Sequence, residues 1–201
     1  TPDIKQMVKM AREILRKEYF RAGMGISGAK MVGELDGEET TSFLMVNGQY
    51  KHSYITFPDP LNQDYFLIAD VRQSRPPSHK AQMVNGKPRI TVKIMLEADY
   101  LSIQSGINYE ELSKTGIFER SAEKLLDARI TGFLQRTAQL ESDICGFGYH
   151  QVGKFLVWRD WEAFNWLSRY KDATFDVDVD FKIRRPGLKL KSVPFRGGGG
   201  E

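Results

Sequence analysis

The chain has one cysteine and three histidines in 201 residues. A single cysteine closes no internal disulfide, and together with three histidines it is a poor supply of soft ligands for a structural zinc site. A strong charge imbalance is lacking too. The 29 basic residues against 26 acidic ones leave a formal +3, too small for an electrostatic grip on nucleic acid without local clustering. Long apolar runs are missing, and none approaches the ~20 residues that a membrane-spanning helix needs, so any membrane attachment is expected to lie outside this chain. There is no phosphate-binding glycine loop, no dinucleotide glycine pattern after a strand, no zinc spacing and no Ser/His/Asp arrangement that the sequence supports. What is present is a 41% hydrophobic chain, long enough for one packed domain, or one domain with an appended element, without staples.

The period of the apolar residues changes along the chain. Thr1 to Phe20 reads as an amphipathic helix, with Ile4, Met7, Val8, Ala11, Ile14 and Leu15 on one side and Lys5, Lys9, Arg12 and Arg16 on the other. Gly23 and Gly25 end it. In "TSFLMVNGQYKHSYITF", residues 41–57, Asn47-Gly48 lies between two β-rich runs, which predicts a hairpin pairing Thr41–Val46 with Gln49–Phe57. "DYFLIADVRQSR" supplies a third strand, broken by Pro76-Pro77. After a second Asn-Gly at 85–86, Ile90, Val92, Ile94 and Leu96 alternate with polar or exposed-type residues as a half-buried strand does.

From Tyr109 the pattern becomes helical. Phe118, Ala122, Leu125, Leu126, Ile130, Phe133 and Leu134 form one face of a helix expected over Ile117–Leu140, with Gly116 interrupting its beginning. A second helix is expected over Val152–Tyr170, holding Trp158, Trp161 and Trp166. The last element, "TFDVDVDFKIRRPG", alternates strictly and predicts a strand with a wet face. The tail "LKLKSVPFRGGGGE" has the composition of a flexible end.

Few residues offer chemistry. Cys145 and His150 in "DICGFGYH" invite a Cys/His reading. A nucleophilic cysteine needs a stabilised thiolate, whereas Cys145 follows the carboxy-terminal, negative end of the long helix. The competing reading is packing: a left-handed glycine, a buried Phe147 anchor and a small apolar Cys145. Asp176, Asp178 and Asp180 lie ~6.6 to 7 Å apart along a strand and do not converge on one ion. Glu38-Glu39 are available for acid/base work or for a turn leading into a helix or strand. The tryptophan stretch describes either a core stripe or an interaction surface.

Four segments in this order, Lys30–Gln49, Pro88–Ala98, Ser142–Lys154 and Trp158–Leu188, resemble the carboxy-terminal domain of the Ger(x)C family, the C subunits of nutrient germinant receptors of endospore-forming bacteria. The most specific pieces are D-I-x-G-F-G at Asp143–Gly148 and K-I-R-R-x-G at Lys182–Gly187. The resemblance implies a lipoprotein resting on the outer face of the spore inner membrane, with its lipidated cysteine outside this chain. It implies assembly with integral-membrane A-type and B-type subunits and no enzymatic activity; the charge balance and missing motifs already lead to the expectation of no cofactor, metal or nucleic acid. It further implies that this chain is a carboxy-terminal piece of a longer protein, and it singles out Gly146, Phe147, Gly148, Trp161, Arg184, Arg185 and Gly187 as structural or interaction positions.

The expected fold is α+β: an antiparallel or mixed sheet of about four strands, packed by the long helix and the tryptophan-rich helix. The expected organisation is an amphipathic helix over 1–22, a domain over 23–190 and a flexible tail over 191–201. The function expected from these features is a non-catalytic structural and protein-interaction domain. The alternatives are a small-molecule, germinant-binding domain with a pocket lined by Trp158, Trp161 or Trp166, and a hydrolase using Cys145 and His150.

Overall fold

The computed structural model describes residues 24–27 and 30–185; the expected helix over 1–22 and tail over 191–201 lie outside the described residues. A short antiparallel ribbon, β1 (Met24–Ser27) and β2 (Lys30–Glu34), leads into α1 (Gly37–Val46). The sheet is built from β3 (His52–Pro58), β4 (Phe66–Gln73), β5 (Ser78–Val84), β6 (Lys87–Ile103) and β7 (Thr174–Arg185). Between β6 and β7 lie α2 (Leu112–Gln139) and three short helices, α3 (Tyr149–Val152), α4 (Trp158–Phe164) and α5 (Trp166–Tyr170). The architecture is α+β with a mixed five-stranded sheet.

Helix α1 replaces the first strand of the hairpin expected over residues 41–57; the second strand is present as β3 and pairs with β4 instead. The start of α1 is a capping box, with the Asp36 carboxylate accepting from Glu39 N at 2.8 Å and the Glu39 carboxylate accepting from Asp36 N at 3.1 Å. Asn47-Gly48 then ends the helix rather than turning a hairpin. Gly48 adopts φ +66°, and Gln49 N donates back to Leu44 O at 2.9 Å. Asn-Gly suits both sites for one reason, tolerance of positive φ; the capping box upstream decides between them.

The strand β6 organises the sheet. It runs for 17 residues and uses each edge differently. On one edge its amino-terminal half pairs antiparallel with β5 and its carboxy-terminal half with β4, so two strands in tandem share it. On the other edge β7 runs parallel from Arg89↔Thr174 to Asp99↔Arg185. The second Asn-Gly joins β5 to β6 with Asn85 at φ 51° and Gly86 at φ 79°, as a two-residue primed turn requires. Pro88, Ile90, Val92, Ile94, Leu96 and Ala98 are buried while their neighbours alternate outward. The wet face of β7 carries cross-strand ion pairs, Arg89 to Asp176 at 2.7 Å and Lys93 to Asp178 at 2.8 Å.

Helix α2 begins earlier than expected. It spans 28 residues, about 42 Å at 1.5 Å per residue, and Gly116 lies inside it rather than interrupting it. It buries Phe118, Ala122, Leu126, Ile130, Phe133 and Leu134, and Phe118 meets Phe57 and Phe181 edge-on at 5.4 and 5.9 Å. A second contact ties the helix to the sheet edge. Glu119, Glu123 and Asp127 accept hydrogen bonds from the backbone N–H groups of Ile183, Phe181 and Val179 at 2.9, 3.2 and 3.0 Å. The spacing explains why this works: four helical residues rise about 6.0 Å and two strand residues about 6.6 Å. An antiparallel helix therefore presents one carboxylate to each outward N–H.

The tryptophan stretch forms no continuous helix over 152–170. Gly153 ends α3, and Asn165, at φ 46° and ψ 69°, separates α4 from α5. A left-handed residue turns the axis, so Trp161 and Trp166 approach the same loop from two short helices instead of along one stripe.

Candidate functional site

The loop that follows α2 is closed around one aspartate. Glu141 leaves the helix at φ 50°, and Ser142 N donates to Thr137 O at 2.9 Å. Asp143 then points inward and is 4% exposed. One of its carboxylate oxygens accepts from Phe147 N at 2.9 Å; the other accepts from Gly148 N at 2.6 Å and from the Trp166 indole N–H at 2.7 Å. Burial pushes the Asp143 carboxyl above its ordinary range, against the pull of these donors.

The glycines are fixed by their neighbours. Gly146 has φ +74°, and a Cβ there would lie 2.7 Å from the Tyr149 ring. A Cβ on Gly148 would lie 2.8 Å from the Trp166 indole. Between them Phe147 is fully buried against His79, Phe175 and Tyr170, with ring centroids at 5.5, 6.4 and 6.5 Å. Tyr170 in turn hydrogen-bonds the Thr137 hydroxyl at 2.8 Å, and Gln151 donates to Ala81 O at 2.7 Å, pinning the loop and α3 to the rest of the fold.

The loop, the carboxy-terminal turn of α1 and helices α4 and α5 enclose a cavity of about 310 Å³. Asp143, Ile144, Gly148 and Trp166 are its buried lining; Gln49, Glu162 and Asn165 are exposed at its rim. Asn47, Cys145, Gly146, Tyr149, Trp161 and Leu167 complete the walls. Of the three tryptophans considered for a pocket, Trp161 and Trp166 line this one. Trp158 does not: it is 46% exposed and donates its indole N–H to Glu162 at 2.6 Å. Asn47, Gln49, Asp143, Glu162 and Asn165 were not anticipated as a group, because the first two were assigned to a hairpin and the others are brought together by the bend at Asn165. The local signal that existed was an aspartate four residues before the first of two bonded loop amides.

The other candidate residues have structural partners. Burial, and secondarily the charge of Asp143, raises the Cys145 thiol well above its ordinary value, opposite to what a thiolate nucleophile requires. His150 is exposed, with its ring 6.1 Å from that of His79. Glu38 pairs with Arg129 at 2.9 Å, and Glu39 pairs with Arg136 beside its capping role. Arg184 is exposed and donates to Glu97 at 2.7 Å; Arg185 ends β7, and Gly187 lies outside the described residues. Among the described residues no group of three His, Cys, Asp or Glu side chains is placed to hold a metal ion, and no helix is long and apolar enough to cross a membrane.

Against known proteins, the family model described as spore germination B3/GerAC like, C-terminal, matches residues 22–187. Among solved structures, a crystal structure of the GerBC protein superposes with a TM-score of 0.66 at 19% identity, over 82% of this chain and 51% of that one. That superposition shows a shared fold, and the chain spans about half the length of the protein it matches. No curated protein matches it.

Proposed function

Because the chain belongs to the spore germination B3/GerAC-like C-terminal family, we propose that it is a non-catalytic structural and protein-interaction domain, over residues 23–190, of a germinant-receptor lipoprotein subunit needed for nutrient-triggered germination. The family match over 22–187 is the observation that carries this reading. The chemistry of the described residues is consistent with it, since the half-buried cysteine has its thiol pKa raised and the Glu38-Glu39 pair considered for acid/base work is committed to a helix start and to ion pairs. In this reading the partners are the integral-membrane A-type and B-type subunits. A lipid anchor outside this chain holds the protein to the outer face of the spore inner membrane. Gly146, Phe147, Gly148 and Trp161 shape the loop and its neighbours, and Arg184 lies near the end of the last strand; Gly187 remains a position that only the family resemblance singles out.

A surface suited to a protein partner is at hand. Leu156, Val157 and Trp158 are consecutive and exposed, Leu156 at 89%, and Lys154 and Arg159 flank them. Exposed apolar side chains with an adjacent tryptophan and arginine are what protein interfaces bury at their centres. The test is a pull-down of this chain, at physiological salt, against the soluble regions of the A-type and B-type subunits. Saturable binding that Leu156→Asp and Trp158→Ala weaken at least tenfold, with unchanged melting temperature, is the expected result. Absence of binding by the folded chain to both subunits overturns the reading.

A further inference from the structure

We propose that the cavity beside Asp143 is a binding site for a small organic cation, an amine carried on an apolar body. The inference is independent of the receptor reading and rests on the composition and geometry of this one site. At about 310 Å³ the cavity is at the lower end of the range that small ligands occupy. Its lining holds two carboxylates, Asp143 and Glu162, and three aromatic side chains, Tyr149, Trp161 and Trp166, with no lysine, arginine or histidine.

The charge of Asp143 makes a cation the fitting occupant. Three N–H donors satisfy its hydrogen bonds, yet among the described residues no basic side chain forms an ion pair with it. A buried carboxylate without a counter-charge is costly, and a cation in the adjoining cavity lowers that cost. Glu162 at the rim adds a second negative charge on the way in. Indole and phenol rings attract a cation through their negative faces, so Trp161 and Trp166 serve both the charge and the apolar body of the ligand.

The other ligand classes fit less well. An anion needs free N–H donors or cations, and the loop amides of Phe147 and Gly148 that would cradle one are already bonded to Asp143. A neutral apolar molecule would fill the space but leave the carboxylate as uncompensated as before.

The test is calorimetric titration of the chain, with tryptophan fluorescence as a second signal, using phenethylamine, butylamine and choline as probes. 2-Phenylethanol and phenylacetate serve as neutral and anionic controls of similar shape. At least one amine is expected to bind saturably at a single site, with the alcohol at least tenfold weaker and the acid silent. Glu162→Gln should weaken that amine several-fold, and Gln49→Lys, which puts a cation at the mouth, should abolish its binding. Both positions are exposed, and an unchanged melting temperature confirms that each variant folds. Equal binding of amine and alcohol, preference for the acid, no saturable amine binding up to millimolar concentration, or an affinity unmoved by both substitutions would each overturn the proposal.

Discussion

Asp59 and Asp143 are both covered, at 0% and 4% exposure, and each closes a loop with its carboxylate, yet their pKa values move in opposite directions. At the end of β3, Asp59 accepts from Leu61 N and Asn62 N at 2.9 and 3.2 Å, from the Ser105 hydroxyl at 2.5 Å and from the Tyr109 phenol. Burial raises its pKa, but these donors outweigh burial and the net shift is downward. Asp143 has a comparable set of donors and its net shift is upward. The difference is depth. Asp59 lies beneath a turn whose Leu61, Asp64 and Tyr65 face solvent, whereas Asp143 lies under Trp166 beside fully buried Phe147. Hydrogen bonds alone do not decide the charge state of a buried carboxylate; the distance to water sets how much they must offset.

This contrast orders the consequences of substitution. Asp143→Ala leaves two loop amides and an indole N–H without acceptors, and should cost on the order of 3 to 5 kcal/mol, read by urea denaturation and by loss of near-ultraviolet dichroism from Trp166. Asp59→Ala should cost less, about 1 to 3 kcal/mol, because two of its donors are hydroxyls that can turn to other acceptors and its turn is close to water. Equal costs would break the comparison.

The pH dependence sharpens it. A carboxylate with a lowered folded pKa contributes stability that is present above the unfolded value of about 4 and is lost as pH falls. One with a raised folded pKa contributes stability that is fully present below about 4 and is lost as pH rises. The penalty of Asp59→Asn should therefore shrink as pH is lowered, and that of Asp143→Asn should grow. Denaturation curves between about pH 3 and 7 check this, and slopes of the same sign would refute it. Gly148→Ala tests the packing of the deeper site alone: its Cβ would sit 2.8 Å from the Trp166 indole, which should cost about 1 to 3 kcal/mol and displace the indole from Asp143.

What the sequence allowed to be read divides along the same line of locality. The alternation of Ile90, Val92, Ile94 and Leu96 and the apolar face of α2 are periodic, and periodicity survives folding because each side chain must be on one face. Phe147 was legible as a buried anchor because glycines on both sides leave it little other use. Asn47-Gly48 was misassigned because its requirement for positive φ is shared by hairpin turns and helix ends, while the deciding capping box lies eleven residues upstream at Asp36. The cavity was only half legible. Its tryptophans were visible as aromatic residues, but the indole that reaches Asp143 lies 23 residues beyond it, and the left-handed turn at Asn165 that brings it there has no periodic signature.

The smallest effect is expected where carboxylates meet backbone amides most openly. The Glu119, Glu123 and Asp127 ladder along β7 is partly solvated and threefold redundant, and Lys182 lies 3.3 Å from Glu123 and 3.7 Å from Glu119. Glu123→Ala frees a single N–H that water can reach, so it should cost about 0.5 to 1 kcal/mol, and Glu123→Gln, which keeps an acceptor oxygen, less. Replacing all three acids by alanine is a different experiment. It strips the acceptors from alternate residues of an edge strand, and an uncovered edge is a template for pairing with another chain. The triple variant should therefore self-associate in sedimentation velocity at a concentration where the single variant stays monodisperse. If it does not, the ladder holds the helix to the strand but does not guard the edge.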